Sequence, residues 1–420
     1  MRKITLRLIP FLFVLYIVAW LDRVNVGFAA LQMNSDLGLS STAFGLGSGM
    51  FFLGYCLFEV PSNLVLHRVG ARRWISRIMI SWGAISAAMM FVRTPLTFYL
   101  LRFLLGTAEA GFFPGVVYYL SQWYPEAQRA RAIAAFMTAV PVSGVIGGPV
   151  SGVLLQLNGT FGLAGWQWLF LVEGLPAILL GVIVLVYLDD RPEMAQWLCP
   201  AERDWLIRKL EDEQSGWRAA PRVGILAALT NPTIWQLGVI FLLAAVGFYG
   251  YSFWAPLIIK ALTSSSDLRV GLILGGISSA TIIFMVLNST HSDYTEERPL
   301  HVAIPLLVSG TGFFGCAFLA NPILALLALA LIPIGHCSAY GPFFSMPVRF
   351  LTGAPAAAGI ALVVTIANVG GFFGPTLMGA LKDRFDTHVP AFMLLGICAV
   401  VAAVLALRLR RLSFLQALKP

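Results

Sequence analysis

The sequence predicts an all-α integral membrane protein whose twelve transmembrane helices form two six-helix bundles related by a pseudo-two-fold axis. Three observations predict it. Apolar residues make up 58% of the 420 residues and charged residues only 11%, and the mean hydropathy is +0.82. A soluble domain carries about 25% charged residues, so a soluble fold of this size lacks the polar groups to cover its surface. The apolar residues fall into twelve runs of the length that a hydrocarbon layer of about 30 Å demands, about 20 residues each. One charged stretch divides the runs six and six. A soluble enzyme, a nucleic-acid binder and a disordered scaffold are excluded together.

The first run opens at Leu6, after Met1-Arg2-Lys3. It outlasts the core of a signal peptide and has no small-residue cleavage site near its end, so it reads as a retained helix over 8–31. The first half continues with spans 42–66, 73–93, 96–122, 130–155 and 165–187. The second half comprises 233–259, 269–289, 300–320, 322–348, 355–381 and 389–409. The expected organisation is an N-terminal bundle over 1–188, a linker over 189–231 and a C-terminal bundle over 232–420. Within the linker, Trp205-Leu206-Ile207-Arg208-Lys209-Leu210 predicts a short amphipathic helix on the membrane surface.

Basic residues set the orientation. With both termini and the linker on one side, that side collects 21 of the 28 lysines and arginines, and the other side has five: Arg93, Lys260, Arg269, Lys382 and Arg384. Arg23 and Arg102 lie inside spans. The termini are therefore expected in the cytoplasm, in a bacterial inner membrane. The halves echo each other: His67-Arg68-Val69-Gly70-Ala71-Arg72-Arg73 follows the second span and Asp293-Tyr294-Thr295-Glu296-Glu297-Arg298 follows the eighth. Each is expected to form a hairpin, as in duplicated bundles that rock about a central site.

Ionisable residues inside spans cost about 2.5–3.5 kcal/mol each on insertion scales and mark functional sites. The chain has Asp22, Arg23, Glu59, Arg102, Glu109 and Glu173. Asp22 lies about 21 Å along the first span at about 1.5 Å per residue, and Glu109 reaches a similar depth down the fourth. Arg102 sits two turns from Glu109 on the same face. The arginines are expected to offer forked donors to a carboxylate, while Asp22 and Glu109, poorly solvated, bind protons reversibly. The alternative is a static ion pair of Asp22 or Glu109 with an arginine. Buried pairs stabilise weakly, which favours the functional reading. Glu59 is expected to cap or brace a helix end, and Glu173 has no evident partner.

Small residues recur at four-residue spacing, Gly45/Gly49, Gly111/Gly115, Gly144/Gly148/Gly152 and Gly370/Gly374, as close helix packing requires. Pro149 can bend the fifth span. Most aromatics belong to lipid-facing or interfacial positions, but Tyr55, Tyr249, Tyr251, Phe253, Tyr340 and Phe343 fall at mid-span depth and are candidates to line a cavity. So is Asn368, whose amide needs a partner. No nucleotide-binding motif, metal-ligand histidine spacing or ion-filter sequence is present. The five cysteines are scattered, without a CxxC pair. No cofactor is expected beyond the proton as coupling ion, and the expected partners are a small carboxylate, protons and lipid, with the chain working as a monomer.

Specific strings carry a resemblance. Leu21-Asp22-Arg23-Val24-Asn25-Val26-Gly27, Phe58-Glu59-Val60-Pro61-Ser62-Asn63, Arg102-Phe103-Leu104-Leu105-Gly106 with Glu109-Ala110-Gly111-Phe112-Phe113-Pro114, Trp166-Gln167-Trp168-Leu169-Phe170 and Phe253-Trp254-Ala255-Pro256 resemble the anion:cation symporter family of the major facilitator superfamily. The second string is similar to that of the subgroup of tartrate, phthalate and 4-hydroxyphenylacetate carriers. The resemblance implies proton-coupled uptake of an organic anion by alternating access. It implies that Asp22 and Glu109 are the coupling acids, that Arg23 and Arg102 bind the anion, and that Tyr55 lines the cavity, with a looser match at Asn368. His67 stands where the superfamily hairpin usually has aspartate, whereas Asp293 keeps the counterpart. The glycine-proline run of the fifth span resembles an antiporter motif, so an exchanger or exporter is the alternative. A membrane sensor of an organic acid needs the arginines but not both acids.

Overall fold

A computed structural model describes residues 1–219, 230–346 and 354–417. The end of the expected linker and the last residues of the expected tenth span lie outside the described residues. The first half contains α1 (Arg2–Asp36), α2 (Ser41–Val69), α3 (Ala71–Ala88), α4 (Pro95–Glu109), α5 (Phe112–Ser121), α6 (Glu126–Met137), α7 (Ala139–Leu155) and α8 (Gly165–Tyr187). After the linker helix α9 (Pro200–Ala219) come α10 (Pro232–Thr263), α11 (Asp267–Thr295), α12 (Pro299–Phe318), α13 (Pro322–Ser338), α14 (Tyr340–Phe344), α15 (Ala354–Phe385) and α16 (Val389–Ala417). Among the described residues, twelve helical stretches are long and apolar enough to cross a membrane, and they match the twelve expected spans.

The pseudo-two-fold relation is visible in the packing. In the first half α3 lies along α8 and α2 along α4; in the second half α12 lies along α16 and α11 along α13. Between the halves, α2 packs on α15 and α7 on α11, one contact being the counterpart of the other. The fold is therefore all-α, with two six-helix bundles.

Two local features differ from the sequence expectation. The hairpin after the second span is a single residue, Gly70, at φ +95°, so His67, Arg68 and Val69 belong to α2. Asp190, from the end of the bundle, accepts from the Arg72 amide at 2.8 Å and satisfies the start of α3. In the second half Asp293 is still helical, the chain turns at Glu296, and Arg298 closes on Asp293 at 2.6 Å. The fourth span is also broken, between α4 and α5, where Gly111 adopts φ +87°. Ser62 donates to the carbonyl of Ala110 at that break, at 2.6 Å, and a Cβ on Gly111 would stand 2.3 Å from the Ser62 hydroxyl. Gly111 thus both turns the chain and lets Ser62 of α2 approach, and Gly115 packs on Leu66 of the same helix.

The other glycines do pack. Gly45 and Gly49 lie on α15 beside the carbonyls of Pro375 and Phe372, and Gly370 and Gly374 lie on α10. Gly148 and Gly271 face each other so closely that a Cβ on either would come 2.4 or 2.1 Å from the other's carbonyl oxygen. Among the described residues the contacts at Gly45, Gly379, Gly148, Gly152 and Gly271 lie toward the helix ends away from the termini. There Asp383 accepts from the amides of Ser41 and Thr42, at 3.1 and 2.7 Å, capping α2 from the opposite bundle. Gln32 donates to Asp267 at 2.9 Å and Lys260 pairs with the same carboxylate. The molecule is closed at the face opposite the termini.

The linker helix is longer than the six residues expected. It buries Leu206 and Leu210 and leaves Trp205 half exposed, and Glu202 pairs with Lys3 at 2.8 Å. Arg7 clamps the same corner, lying 4.5 Å from the Tyr187 ring and 4.8 Å from the Trp197 ring.

The glycine pair yields a test of the closure. Gly148→Val should weaken the closed arrangement by about 1–3 kcal/mol, the cost of overpacking. Labelling of a cysteine placed at Ser48 by a polar maleimide should then rise several-fold. Unchanged labelling would show that this contact does not hold the bundles together.

Candidate functional site

Neighbouring residues on a helix point about 100° apart, and this separates Asp22 from Arg23. Asp22 turns into the first bundle. It is 1% exposed and accepts from Trp82 Nε1 at 2.6 Å, Ser86 Oγ at 2.7 Å and Asn25 Nδ2 at 3.4 Å. Arg23 turns toward α4, where its Nη2 donates to Glu109 Oε1 in a buried ion pair. Glu109 is the last residue of α4, and the break at Gly111 fixes it there. Aromatic rings surround the pair: Trp20, Phe51 and Tyr55 lie 5.1, 5.2 and 5.4 Å from the Arg23 guanidinium.

Arg102 is fully buried one wall away, against Phe51 at 5.1 Å and Phe253 at 5.7 Å. Its one hydrogen bond runs from Nη2 to the Ser48 carbonyl at 3.5 Å, and Nε and Nη1 have no partner among the described residues. Glu109 Oε2 is also unmet. Such groups cost about 1–3 kcal/mol each, more when charged, so the arrangement holds unspent donors beneath the closed face. Asp22, Arg23, Arg102 and Glu109 form one electrostatic cluster of two acids and two arginines.

In this state neither of the arginines expected to offer a forked donor is presented to a ligand. Arg23 is occupied by Glu109, and Arg102 is shut behind Phe51 and Phe253. Of the two static pairs considered from sequence, the one between Glu109 and Arg23 exists, while Asp22 is held by neutral donors instead.

The remaining candidates divide. Tyr55 and Tyr249 come to the site: Tyr55 is buried beside Arg23, and Tyr249 packs 4.4 Å from Phe52 within electrostatic range of Arg23. Tyr340 stands on the second bundle, its hydroxyl 3.0 Å from His336 Nε2. Phe253 and Phe343 are core residues, and Asn368 is half-buried and makes no hydrogen bond to a described residue. Glu59 does not cap a helix end, because α2 runs through Pro61 to Val69; it is buried mid-helix with Oε2 unmet.

Glu173, left without a partner by the sequence, has one. Ser151 donates to its Oε1 at 2.8 Å, and the side chain of Asn25 faces it, with Asp22 beyond. The polar residues at mid-span were visible, but nothing in a single sequence says that α8 meets α1 and α7 there. A largely apolar cavity adjoins the cluster, lined among others by Trp20, Val24, Ser143, Tyr251, Ser278 and Thr281. It lies beside the charges rather than on them, and Trp20 is the residue the two share. Among the described residues no group of His, Cys, Asp and Glu is arranged to hold a metal ion.

Comparison with known proteins places this geometry. The family description "Major Facilitator Superfamily" matches residues 12–375. Two relatives from Agrobacterium vitis, each named "Putative tartrate transporter", are 48% identical over 411 residues and 46% identical over 413. The alignments span 98% of this chain and 94% and 92% of the relatives. Among solved structures, a D-xylose-proton symporter aligns with a TM-score of 0.75 over 96% of both chains at 15% identity, a likeness of fold.

The buried pair can be tested by a double-substitution cycle. Glu109→Gln or Arg23→Gln alone leaves a buried charge unpaired and should cost about 3–5 kcal/mol. The double variant should be more stable to heat in detergent than either single one, with a coupling of about 0.5–3 kcal/mol. Additive losses would mean that the two side chains do not interact.

Proposed function

This chain belongs to the Major Facilitator Superfamily, and from that premise we propose that it takes up a small organic carboxylate together with protons. It is a multi-pass membrane transporter of that family and not an enzyme. The observation that carries the proposal is the buried pair of Arg23 and Glu109. While Glu109 is ionised, it holds the Nη2 of Arg23. A proton on Glu109 cancels the charge and releases the guanidinium for a substrate carboxylate. Proton and anion then favour each other's binding by the same free energy in both directions.

Arg102 supplies the difference between states that transport needs. With the far face closed, it is sealed under Phe51 and Phe253 with two donor nitrogens idle. Opening that face uncovers it, so the outward arrangement offers a carboxylate two arginines and the inward arrangement only Arg23. The anion is held tightly on the outside and let go on the inside, where the loss of the proton from Glu109 restores its pair with Arg23. Tyr55 and Tyr249 orient the substrate beside Arg23, with Tyr340 and Asn368 on the opposite wall. Asp22 is a second coupling acid.

In this reading the bundles 1–188 and 232–420 rock about the site, and 189–231 is a cytoplasmic tether. The distribution of basic residues, 21 against five, supports cytoplasmic termini, and the reading places the carrier in a bacterial inner membrane. One chain holds the whole site, so a monomer suffices, and the proton is the only co-substrate. Hydroxy dicarboxylates head the order of candidate substrates, because the two Agrobacterium relatives are named for tartrate.

The test is external pH in lightly buffered, energy-depleted cells expressing the protein, recorded as tartrate and then other carboxylates are added. Alkalinisation is expected with the wild type and not with Glu109→Gln or empty vector. Silence with every carboxylate, while counterflow of labelled tartrate proceeds, would establish exchange and overturn symport. Arg102→Gln should raise the external Km by about 10-fold or more, since bonds to a charged group are worth roughly 1.5–3 kcal/mol. An unchanged Km would remove Arg102 from the binding site.

A further inference from the structure

We propose that Arg77 and Trp74 of α3 form a binding site for the phosphodiester of an anionic phospholipid, in the leaflet on the side of the termini. The site does not rest on the proton-coupling reading above.

The packing of α3 turns Arg77 toward lipid. Successive residues of a helix point about 100° apart, so each neighbour of α3 can be assigned to a side of it. Ser76 donates to the Gly181 carbonyl at 2.6 Å, and a Cβ on Gly83 would meet Gly174 and Ala177, so that side belongs to α8. Ile75 and Trp82 are fully buried, and Trp82 donates to Asp22, so the next side faces the bundle interior. Trp74 Nε1 donates to Ser62 Oγ at 3.0 Å and marks the side of α2. The arc left over carries Arg73 and Ala84, both exposed, with the half-buried Arg77 between them. That arc belongs to the apolar span Ala71–Phe91. Arg77 therefore lies about 9 Å inside the end of the span, at about 1.5 Å per residue.

A charge at that depth needs a partner. The Arg77 guanidinium lies 3.9 Å from the centroid of the Trp74 ring, and its Nε is buried without a partner among the described residues. The ring is a fixed platform. Ser62, which accepts from Trp74, passes its own proton to the Ala110 carbonyl at 2.6 Å, at the break beside Glu109. Tied in this way, the ring cannot swing aside, and the two terminal nitrogens of Arg77 are the donors left for a ligand. A long basic side chain on the lipid face extends toward the headgroups. The acceptor waiting there is a phosphodiester, whose oxygens match the guanidinium fork, and a weakly hydrated guanidinium keeps its stacking while it binds them. Arg73, one turn nearer the helix start and exposed, adds a second positive charge. Two cations without an acid favour an anionic lipid over a zwitterionic one, whose headgroup brings a cation of its own. A lipid phosphate already resides at this level, whereas a free phosphate would have to leave water to reach it.

Tryptophan fluorescence of the full-length protein in phosphatidylcholine nanodiscs tests this without any transported substrate. Phosphatidylglycerol or phosphatidylcholine brominated in the acyl chains is added as quencher, and the share of Trp74 is the difference from the matching Trp74→Phe protein. In the wild type, the brominated phosphatidylglycerol should quench Trp74 at a several-fold lower mole fraction than the brominated phosphatidylcholine. Arg77→Gln should abolish that preference while quenching by the phosphatidylcholine persists, which shows the variant folded in the bilayer. Arg77→Lys should keep part of the preference, because the charge stays and the fork is lost. Equal quenching by the two lipids in the wild type, or an undiminished preference in Arg77→Gln, would overturn the proposal. Inorganic phosphate should leave the preference intact when chloride matches its ionic strength. Its abolition by phosphate alone would show a site for the free ion and overturn the assignment to lipid.

Discussion

The need to neutralise charge in a layer that cannot solvate it governs this molecule, and the ion pair of Arg23 and Glu109 is where that need is met. Two arginines and two acids at mid-depth would be untenable singly. Arranged as found, they form a cluster of zero formal charge in which one arginine is paired, one acid is held by neutral donors, and Arg102 keeps idle nitrogens behind two phenylalanines. Any change in proton or anion occupancy alters that balance, so the cluster responds to its ligands by rearrangement.

The surrounding fold makes rearrangement inexpensive in one direction and unambiguous in its geometry. The bundles touch through glycines and backbone carbonyls, as at Gly148 and Gly271 or Gly45 and Pro375, and through aromatic rings, as at Phe44 and Trp254 or Phe52 and Tyr249. The glycine surfaces approach closely and separate without dragging rotamers through one another. The polar clasps at the closed face, Asp383 on the amides of α2 and Asp267 shared by Gln32 and Lys260, are few and lie near the helix ends, where water can replace them when the face opens. The hairpin after the second span is one residue long and the one after the eighth is three, fastened by Asp190 and Arg298 respectively.

Much of this was legible in the sequence, and the limits are physical. The spans could be read because each one must meet the thickness of the hydrocarbon by itself. The ionisable residues could be picked out because their cost is local. What could not be read is which helix each side chain meets. Asp22 and Arg23 are adjacent in sequence yet serve different compartments, and only packing reveals that Asp22 looks at Trp82 while Arg23 looks at Glu109. Glu173 had no visible partner because Ser151 and Asn25 come from two other spans. Gly111 read only as a packing glycine because spacing does not report φ, and Glu59 read as a cap because the helix it sits in runs eight residues past Pro61.

Counting the protons taken up when tartrate binds the purified protein, by calorimetry in buffers of different ionisation enthalpy, would test the central claim most directly. If protonation of Glu109 releases Arg23, wild-type protein takes up protons as the anion binds. Glu109→Gln, with its fork already free, binds at least as tightly and takes up fewer. Binding without proton uptake by the wild type, or loss of binding in Glu109→Gln, would contradict the account.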